Sequence, residues 1–174
     1  MPNKVSAPPI LVPVDFSPNS EEALLFAANI AACMNAPLIV LHVVHDPGDA
    51  PGYYAQRDEK ALMGLEDIAT EMMSEFMERM VTTHPKLRVL KKASTELVSG
   101  LPVTRILEVV EKTNPSMVVM GSRGRTGISH LLLGSKAEQI VRLCPAPVTI
   151  IKIQEDEEPS EAADNPSVQN NNNE

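Results

Sequence analysis

Short apolar runs alternate with longer segments of mixed polarity along the first 153 residues of the 174-residue chain. Four runs are almost continuously apolar, which is typical of parallel β-strands that are covered on both faces. A less regular run within residues 87–98 includes Lys91 and Lys92 and predicts a strand at a sheet edge. The first strand is expected to end on Asp15. The four apolar runs span residues 10–15, 38–44, 117–121 and 147–153.

Between the strands, apolar residues recur at three- and four-residue spacing, which predicts amphipathic helices. Ser17 and Pro18 are typical of a helix start, with the serine as N-cap and the proline in the first turn. This alternation favours a doubly wound parallel α/β sheet with right-handed crossovers. We expect a single five-stranded sheet in strand order 3-2-1-4-5, with helices on both faces. Ligands bind where such an order reverses, so Asp15 and Gly121 would meet across one crevice between strands one and four.

The formal charge of −8 is concentrated at the C-terminal end of the chain. Residues 154–174 hold seven of the 23 acidic residues and no Lys or Arg, so 16 acids face 15 bases in residues 1–153. A near-neutral folded part argues against a basic nucleic-acid footprint and against a polybasic membrane patch. Membrane insertion is not expected, because no apolar run reaches the roughly 18 residues of a membrane span.

Composition also divides the chain into three parts. Residues 9–153 are expected to form one domain with an aliphatic, Met-rich core, since only 3% of the chain is aromatic. Residues 1–8 predict a flexible N-terminus, and the acidic, Asn-rich residues 154–174 predict a disordered tail. Cys33 and Cys144 lie in apolar helical patterns, which predicts buried free thiols in a reducing compartment. With no signal peptide at the start of the chain, we expect a cytoplasmic protein.

A glycine-rich stretch follows the fourth strand and leads into a helix that begins at Ser135. Glycines allow positive φ and close backbone approach, and a helix start adds unpaired N–H groups, so this arrangement can cradle phosphates. Arg123 and Arg125 add positive charge. A Walker A loop and a dinucleotide fingerprint are both absent from the stretch. The alternative is a surface loop without a ligand. The glycines are Gly121, Gly124, Gly127 and Gly134.

Three of these glycines and Ser135 have the spacing G-x2-G-x9-G-S. This spacing resembles the ATP-binding loop of the universal stress protein family. The chain is similar to that family from about residue 8 to residue 153, which is nearly everything except the tails. The matching segments are residues 14–17, 41–43, 119–122 and 147–151.

The resemblance implies an adenine-nucleotide site in the crevice. Asp15 and Val43 would take the base side, and Met120 and Gly121 would lie beside the ribose. Lys136 departs from the small or apolar residue usual at its position, so it either contacts a phosphate or faces solvent. The implied ligand is ATP, or AMP or ADP, with Mg2+ held by phosphates rather than by side chains. The implied nucleotide-binding residues are Pro13, Asp15, Val43, Met120, Gly121, Arg123, Gly124, Gly134, Ser135 and Lys136.

Several of these residues have simpler alternatives. Asp15 could cap the next helix, either alone or together with a ligand role. His42 is expected to be structural, whereas His130 could reach a phosphate or could pack within the loop. Arg125 could be a solvated loop charge, which leaves Arg123 as the better phosphate contact.

Two classes of function compete. The first is an ATP-binding stress-response regulatory protein that signals nucleotide occupancy to an unidentified protein partner, with little or no turnover. The second is an ATP-hydrolysing or nucleotide-transferring enzyme on a related fold. Related pyrophosphate-releasing enzymes carry an SGGxDS-like loop after strand one, whereas residues 15–20 here contain no glycine, which favours the regulatory protein. The glycine spacing argues against a family member that binds no nucleotide. The resemblance and the apolar edge strand at 147–153 imply a homodimer through that strand.

Overall fold

The computed structural model describes residues 7–45, 64–123 and 133–153. These residues form one five-stranded sheet with helices packed on both faces, which confirms the predicted fold class. The strands are β1 (Ile10–Pro13), β2 (Leu38–Val44), β3 (Ser94–Ser99), β4 (Met117–Gly121) and β5 (Val148–Ile151). The helices are α1 (Pro18–Met34), α2 (Leu65–Thr83), α3 (Pro102–Thr113) and α4 (Ser135–Leu143).

All neighbouring strands are parallel, and their order is β3-β2-β1-β4-β5, as predicted. β1 pairs with β2 along its whole length, from Ile10 to Pro13. With β4 it pairs at two positions, the second of which is Leu11 opposite Val118. Pro13 has no N–H to donate to a neighbouring strand. Pairing between β1 and β4 therefore stops beyond Leu11, and the region between their two unpaired carboxyl ends is called the β1–β4 opening below.

The two faces of the sheet pack against different pairs of helices, because successive strand residues point to opposite faces. On one face, Val12 and Val14 lie among buried residues of α1 and α2. On the other face, Leu11 and Val118 lie among buried residues of α3 and α4. β1 and β2 are buried along their whole length. This cover on both faces accounts for their continuously apolar sequences.

β3 is an edge strand, as predicted, but its boundaries differ from those of the predicted run. The strand spans Ser94–Ser99, and Leu90–Lys92 form a 3-10 turn before it. Leu90 is buried in the core, whereas Lys91 and Lys92 are exposed. The two lysines that suggested an edge strand therefore belong to the turn, whose single apolar side chain holds it against the core.

The cysteines are not buried, which corrects the prediction from their helical patterns. Cys33 is exposed near the end of α1, and Cys144 is half-buried directly after α4. Both are free thiols. Small residues form the buried side of α1 near Cys33, and they leave the thiol on the solvent side of the helix. These buried residues are Ala27, Ala28 and Ala31.

The predicted flexible N-terminus and acidic tail fall largely on residues 1–6 and 154–174, which lie outside the described residues. The domain boundaries at residues 9 and 153 therefore stay predictions. Within the part of the chain that the structure describes, no helix is both long enough and apolar enough to cross a membrane.

The first turn of α1 packs directly on the end of β4. A Cβ added to Gly121 would lie 2.8 Å from Asn19 Cβ and 3.0 Å from the backbone carbonyl atoms of Asn19. The start of α1 is capped as predicted, since Ser17 Oγ accepts the N–H of Ser20 at 3.3 Å. The missing side chain of Gly121 therefore allows a capped helix start to approach β4 beside the β1–β4 opening.

Replacing Gly121 by alanine should destabilise the protein, because the backbone of α1 must shift to admit the new Cβ. We expect the free energy of unfolding, measured by urea denaturation, to fall by about 1–3 kcal/mol. Gly64→Ala is the control, since a Cβ there comes within 4 Å of one described atom, Asp67 Oδ2 at 3.7 Å. Gly64 is the N-cap of α2, so Gly64→Ala should lower the free energy of unfolding by no more than about 1 kcal/mol. Equal losses in the two variants would contradict close packing as the role of Gly121.

Candidate functional site

The carboxyl ends of β1, β2 and β4 meet at the β1–β4 opening, and they carry most of the predicted nucleotide-binding residues. The structure describes every member of that predicted set except Gly124. Three other residues of the glycine-rich loop that the sequence singled out, Arg125, Gly127 and His130, also lie outside the described residues.

The chain that leaves β1 is held to β2 by two hydrogen bonds at Val14. The N–H of Val14 donates to Leu41 O at 2.8 Å, and Val14 O accepts from His42 Nδ1 at 2.8 Å. β1 ends at Pro13 rather than at the predicted Asp15, but the hydrogen bonds to β2 continue for one more residue. Asp15 therefore extends from a fixed point at the border of the opening.

Asp15 supports the start of α1. Its Oδ1 accepts the backbone N–H of Ser17 at 3.2 Å and the Ser17 hydroxyl at 2.5 Å. The same hydroxyl oxygen accepts the N–H of Ser20. The predicted capping alternative is thus present indirectly, because Asp15 orients the side chain that caps α1. Asp15 is only half-buried, so its carboxylate also borders the opening.

Phe16 makes the turn between β1 and α1 with a left-handed backbone. Its φ of 62° is uncommon for a bulky residue and costs on the order of 1–3 kcal/mol. The Phe16 ring centroid lies 4.3 Å from that of His42 and 5.4 Å from that of Phe76. Packing on a buried histidine and on α2 offsets the strain, and it holds the neighbouring Asp15 in place.

His42 has the structural role that the sequence predicts. It is 2% exposed, and burial lowers its pKa below the ordinary value of 6.5. The bond to Val14 and the charge of Asp15 oppose this lowering of the pKa, whereas His45 adds to it. A neutral ring with its hydrogen on Nδ1 donates to Val14 O. The buried ring therefore sets where the end of β1 lies relative to β2.

Pro13, Val43 and Met120 are buried, and Val43 and Met120 belong to the core on the α3–α4 face. Their side chains are therefore packed within the fold rather than exposed at the carboxyl edge. The carbonyl of Val43 accepts a hydrogen bond from His45 Nδ1 at 3.0 Å.

Gly121 and Gly134 do not use the positive φ that glycine permits. Among the described glycines, a positive φ occurs at Gly100, and Gly134 has a φ of −60°. The sequence argument from positive φ is therefore wrong for these two positions. Both matter instead for close approach, since a Cβ on Gly134 would lie 3.3 Å from Ser122 O.

The two ends of the glycine-rich loop meet beside the opening. The N–H of Gly134 donates to Ser122 O at 2.8 Å. Ser122 is buried, and its own N–H donates to Ile151 O at 2.7 Å. The start of α4 is therefore held against the ends of β4 and β5, whatever path the intervening residues take.

The N-terminus of α4 has the geometry of an anion site. Its N-cap, Gly134, has no capping side chain, and the helix begins with the N–H of Glu138 donating to Gly134 O at 2.9 Å. The N–H groups of residues 135–137 therefore have no acceptor within the helix, and the helix dipole adds positive potential. Ser135 is exposed at this end, and half-buried Arg123 lies at the start of the loop.

Lys136 faces solvent, which is one of its two predicted alternatives, and its side chain also has a partner within the protein. Its Nζ lies 3.2 Å from His45 Nε2, although Lys136 itself is exposed. Sequence reasoning did not include His45 in the site. The one available clue was its position two residues after Val43. Among the described residues, no group of three or more His, Cys, Asp or Glu could hold a metal ion.

The lowered pKa of His42 should make stability depend on pH. As pH falls, His42 takes up a proton in the unfolded chain at a higher pH than in the folded protein. The free energy of unfolding therefore includes the full contribution of neutral His42 above pH 6.5 and loses it below that pH. Urea denaturation between about pH 7.5 and about pH 5 should show this loss. His42→Asn keeps a donor near the Nδ1 position but does not titrate, so it should lose less stability over that range. Equal losses in both proteins would assign the pH dependence to other groups.

The chain matches the universal stress protein family over residues 7–152. It is 30% identical over 143 residues to universal stress protein MJ0531 of Methanocaldococcus jannaschii, which covers 82% of this chain and 81% of that protein. The solved structure of universal stress protein UspA from Lactobacillus plantarum is similar, with a TM-score of 0.64 at 25% identity over 84% of this chain and 98% of that one. A universal stress protein solved in complex with cAMP has a TM-score of 0.58 at 22% identity, over 82% of this chain and 95% of that one. The chain therefore belongs to the universal stress protein family.

Proposed function

We propose that this chain is an adenine-nucleotide-binding regulatory protein of the stress response, which binds ATP, or AMP or ADP, and signals its occupancy to a protein partner. The observation that carries the proposal is the position of the α4 N-terminus, across the β1–β4 opening from Asp15. A nucleotide has a polar base at one end and an anionic chain at the other. It therefore suits a site with a carboxylate on one side and a helix start on the other.

The proposed roles follow the sequence-based assignment. Asp15 and the backbone around Val43 take the base, with Pro13 below it, and Met120 and Gly121 lie beside the ribose. Mg2+ is held by the phosphate oxygens. The phosphates are bound by the start of α4 and the loop before it, through Arg123, Gly124, Gly134, Ser135 and Lys136.

The relative solved with cAMP supports this assignment at the level of the fold. Its likeness to the present chain, at 22% identity, speaks for the architecture and not for individual contacts. Its ligand is nevertheless an adenine nucleotide, so a protein of this architecture accommodates that ligand class.

Slow or absent turnover is part of the proposal. Among the described residues near the phosphate end, Arg123, Ser135 and Lys136 offer charge and hydrogen bonds. The carboxylate of Glu138 in the first turn of α4 pairs with Arg142, so it is not placed to orient an attacking water. Asp15 is engaged in capping α1. A long-lived nucleotide complex suits a regulatory protein, because a partner can then recognise the occupied conformation. The free thiols support a reducing compartment, and we place the protein in the cytoplasm.

Calorimetric titration with ATP, ADP and AMP in the presence of Mg2+ should show saturable binding to the wild-type protein. Ser135→Ala should weaken binding about ten- to a hundredfold, because it removes one donor to a charged acceptor. Gly124→Val should weaken binding as well, by placing a branched Cβ where the backbone approaches phosphate. Ser74→Ala, an exposed serine within α2, is the control and should bind like the wild type.

Failure of all three nucleotides to bind would defeat this proposal. A phosphate-release assay on the same samples separates the two classes of function. Turnover of about 1 per second or faster would favour the alternative, an ATP-hydrolysing or nucleotide-transferring enzyme. Binding without such turnover is the expected result.

The second part of the proposal is a homodimer through strand 147–153. β5 is the last strand in the sheet order. The carbonyls of Pro147 and Ile151 accept hydrogen bonds from the β4 side, and alternate residues of a parallel strand bond to the same neighbour. Val148 and Ile150 therefore direct their N–H and C=O groups to the open edge of the described sheet. A second copy can pair with these groups about a two-fold axis.

Val148→Pro should shift the protein from dimer to monomer in light scattering at micromolar concentration. Proline removes an N–H that points to the open edge, while the hydrogen bonds to β4 remain. Replacing Val148 or Ile150 by a charged residue would also disturb the fold, because both side chains pack against the core on the α3–α4 face. Retained circular dichroism is the control for folding. A wild-type protein that is monomeric at this concentration would contradict the proposed dimer.

A further inference from the structure

The contact between Lys136 and His45 crosses the β1–β4 opening. Lys136 is the second residue of α4, whose start is held beside β4 by the bond from Gly134 to Ser122. His45 follows β2 directly, and β1 lies between β2 and β4 in the sheet. The 3.2 Å distance from Lys136 Nζ to His45 Nε2 therefore places an ammonium group on the β2 side of the opening.

The hydrogen bonds of His45 define its tautomer. Its Nδ1 lies 3.0 Å from Val43 O, which can only accept, so Nδ1 carries the hydrogen. Nε2 then has a lone pair that accepts one N–H of Lys136. An ammonium group has three donors. The lysine is thus held in place by a ring nitrogen, and two of its donors can turn to an anion.

A lysine in the first turn of a helix is electrostatically unfavourable, since the helix dipole already makes that end positive. Glu138 in the same turn offsets it only in part, because its carboxylate also pairs with Arg142 at 2.8 Å. Lys136 therefore adds positive charge to a helix start whose N–H groups are uncapped. Such an accumulation favours a bound anion and is not explained by the stability of α4.

We propose that Lys136, positioned by His45, binds the α-phosphate, the one attached to the ribose. The proposal rests on the nucleotide site proposed above, in which the base lies near Asp15 and Val43. His45 is bonded to Val43 itself, so it holds the ammonium on the base side of the phosphate-binding helix. At that position the ammonium group lies closer to the α-phosphate than to the outer phosphates. This contact therefore favours nucleotides over nucleosides but does not discriminate between ATP and AMP.

Calorimetric titration of the full chain with adenosine, AMP and ATP at low ionic strength tests this assignment. Lys136→Gln should weaken the binding of AMP and of ATP by the same factor, about tenfold, and should leave the binding of adenosine unchanged. The loss should shrink as salt is added, because exposed charges are screened. Lys112→Gln in the last turn of α3 removes the same charge elsewhere. This control should change each affinity by less than about twofold.

His45 is a positioning residue, and its variants separate that role from a structural one. His45→Leu should weaken AMP binding, but by less than Lys136→Gln does, because the lysine keeps its charge and loses only its acceptor. His45→Gln retains an acceptor oxygen and should restore AMP binding. In the Lys136→Gln background, His45→Leu should add no further loss, since its effect passes through the lysine.

Each outcome is decisive. A loss confined to ATP would overturn the α-phosphate assignment and place Lys136 on the outer phosphates. Unchanged binding of both nucleotides to Lys136→Gln would show that the lysine serves no ligand. If the wild-type protein binds neither AMP nor ATP, the proposed function itself fails, and the wild-type titration shows this before any variant is compared.

Discussion

The hydrogen bonds at Val14 are the constraint on which the candidate site depends. They hold the end of β1 to β2 through Leu41 and His42, while pairing with β4 stops at Leu11. Had β1 stayed paired with both neighbours, the carboxyl edge would be a closed row of strands. The unequal pairing instead opens the sheet at the point where the strand order reverses, which is where ligands bind in folds of this kind.

The two helices that follow β1 and β4 begin on either side of the opening, and their N-termini are capped in different ways. The start of α1 is satisfied internally, because Ser17 caps it and Asp15 orients Ser17. The start of α4 has Gly134 as its N-cap and no capping side chain. Both helices carry the same positive end of a dipole. Because of this difference in capping, it is α4 whose first N–H groups lack a side-chain cap and can bind an anion.

The side of the opening formed by β1 is also where the structure concentrates its unfavourable features. Phe16 has a left-handed backbone, and His42 is a titratable ring kept neutral by burial. The two rings pack on each other, so each helps to hold the other in place. Strain of this kind persists where the surroundings over-determine the conformation. Here it keeps Asp15 fixed at the border of the opening.

The sequence by itself determined most of the strands and helices and the cap of α1, because these depend on local patterns. Continuous apolar runs identified β1 and β2, and three adjacent residues identified the cap of α1. The glycine spacing indicated the family, and the phosphate side that it predicts stays a prediction. Tertiary structure alone decided the rest. The contact between His45 and Lys136 joins residues 91 positions apart, and the close approach at Gly121 depends on where Asn19 packs. The exposure of Cys33 depends on which side of α1 faces the sheet. Periodicity reports which residues prefer burial, whereas contacts between distant residues depend on how the helices dock on the sheet.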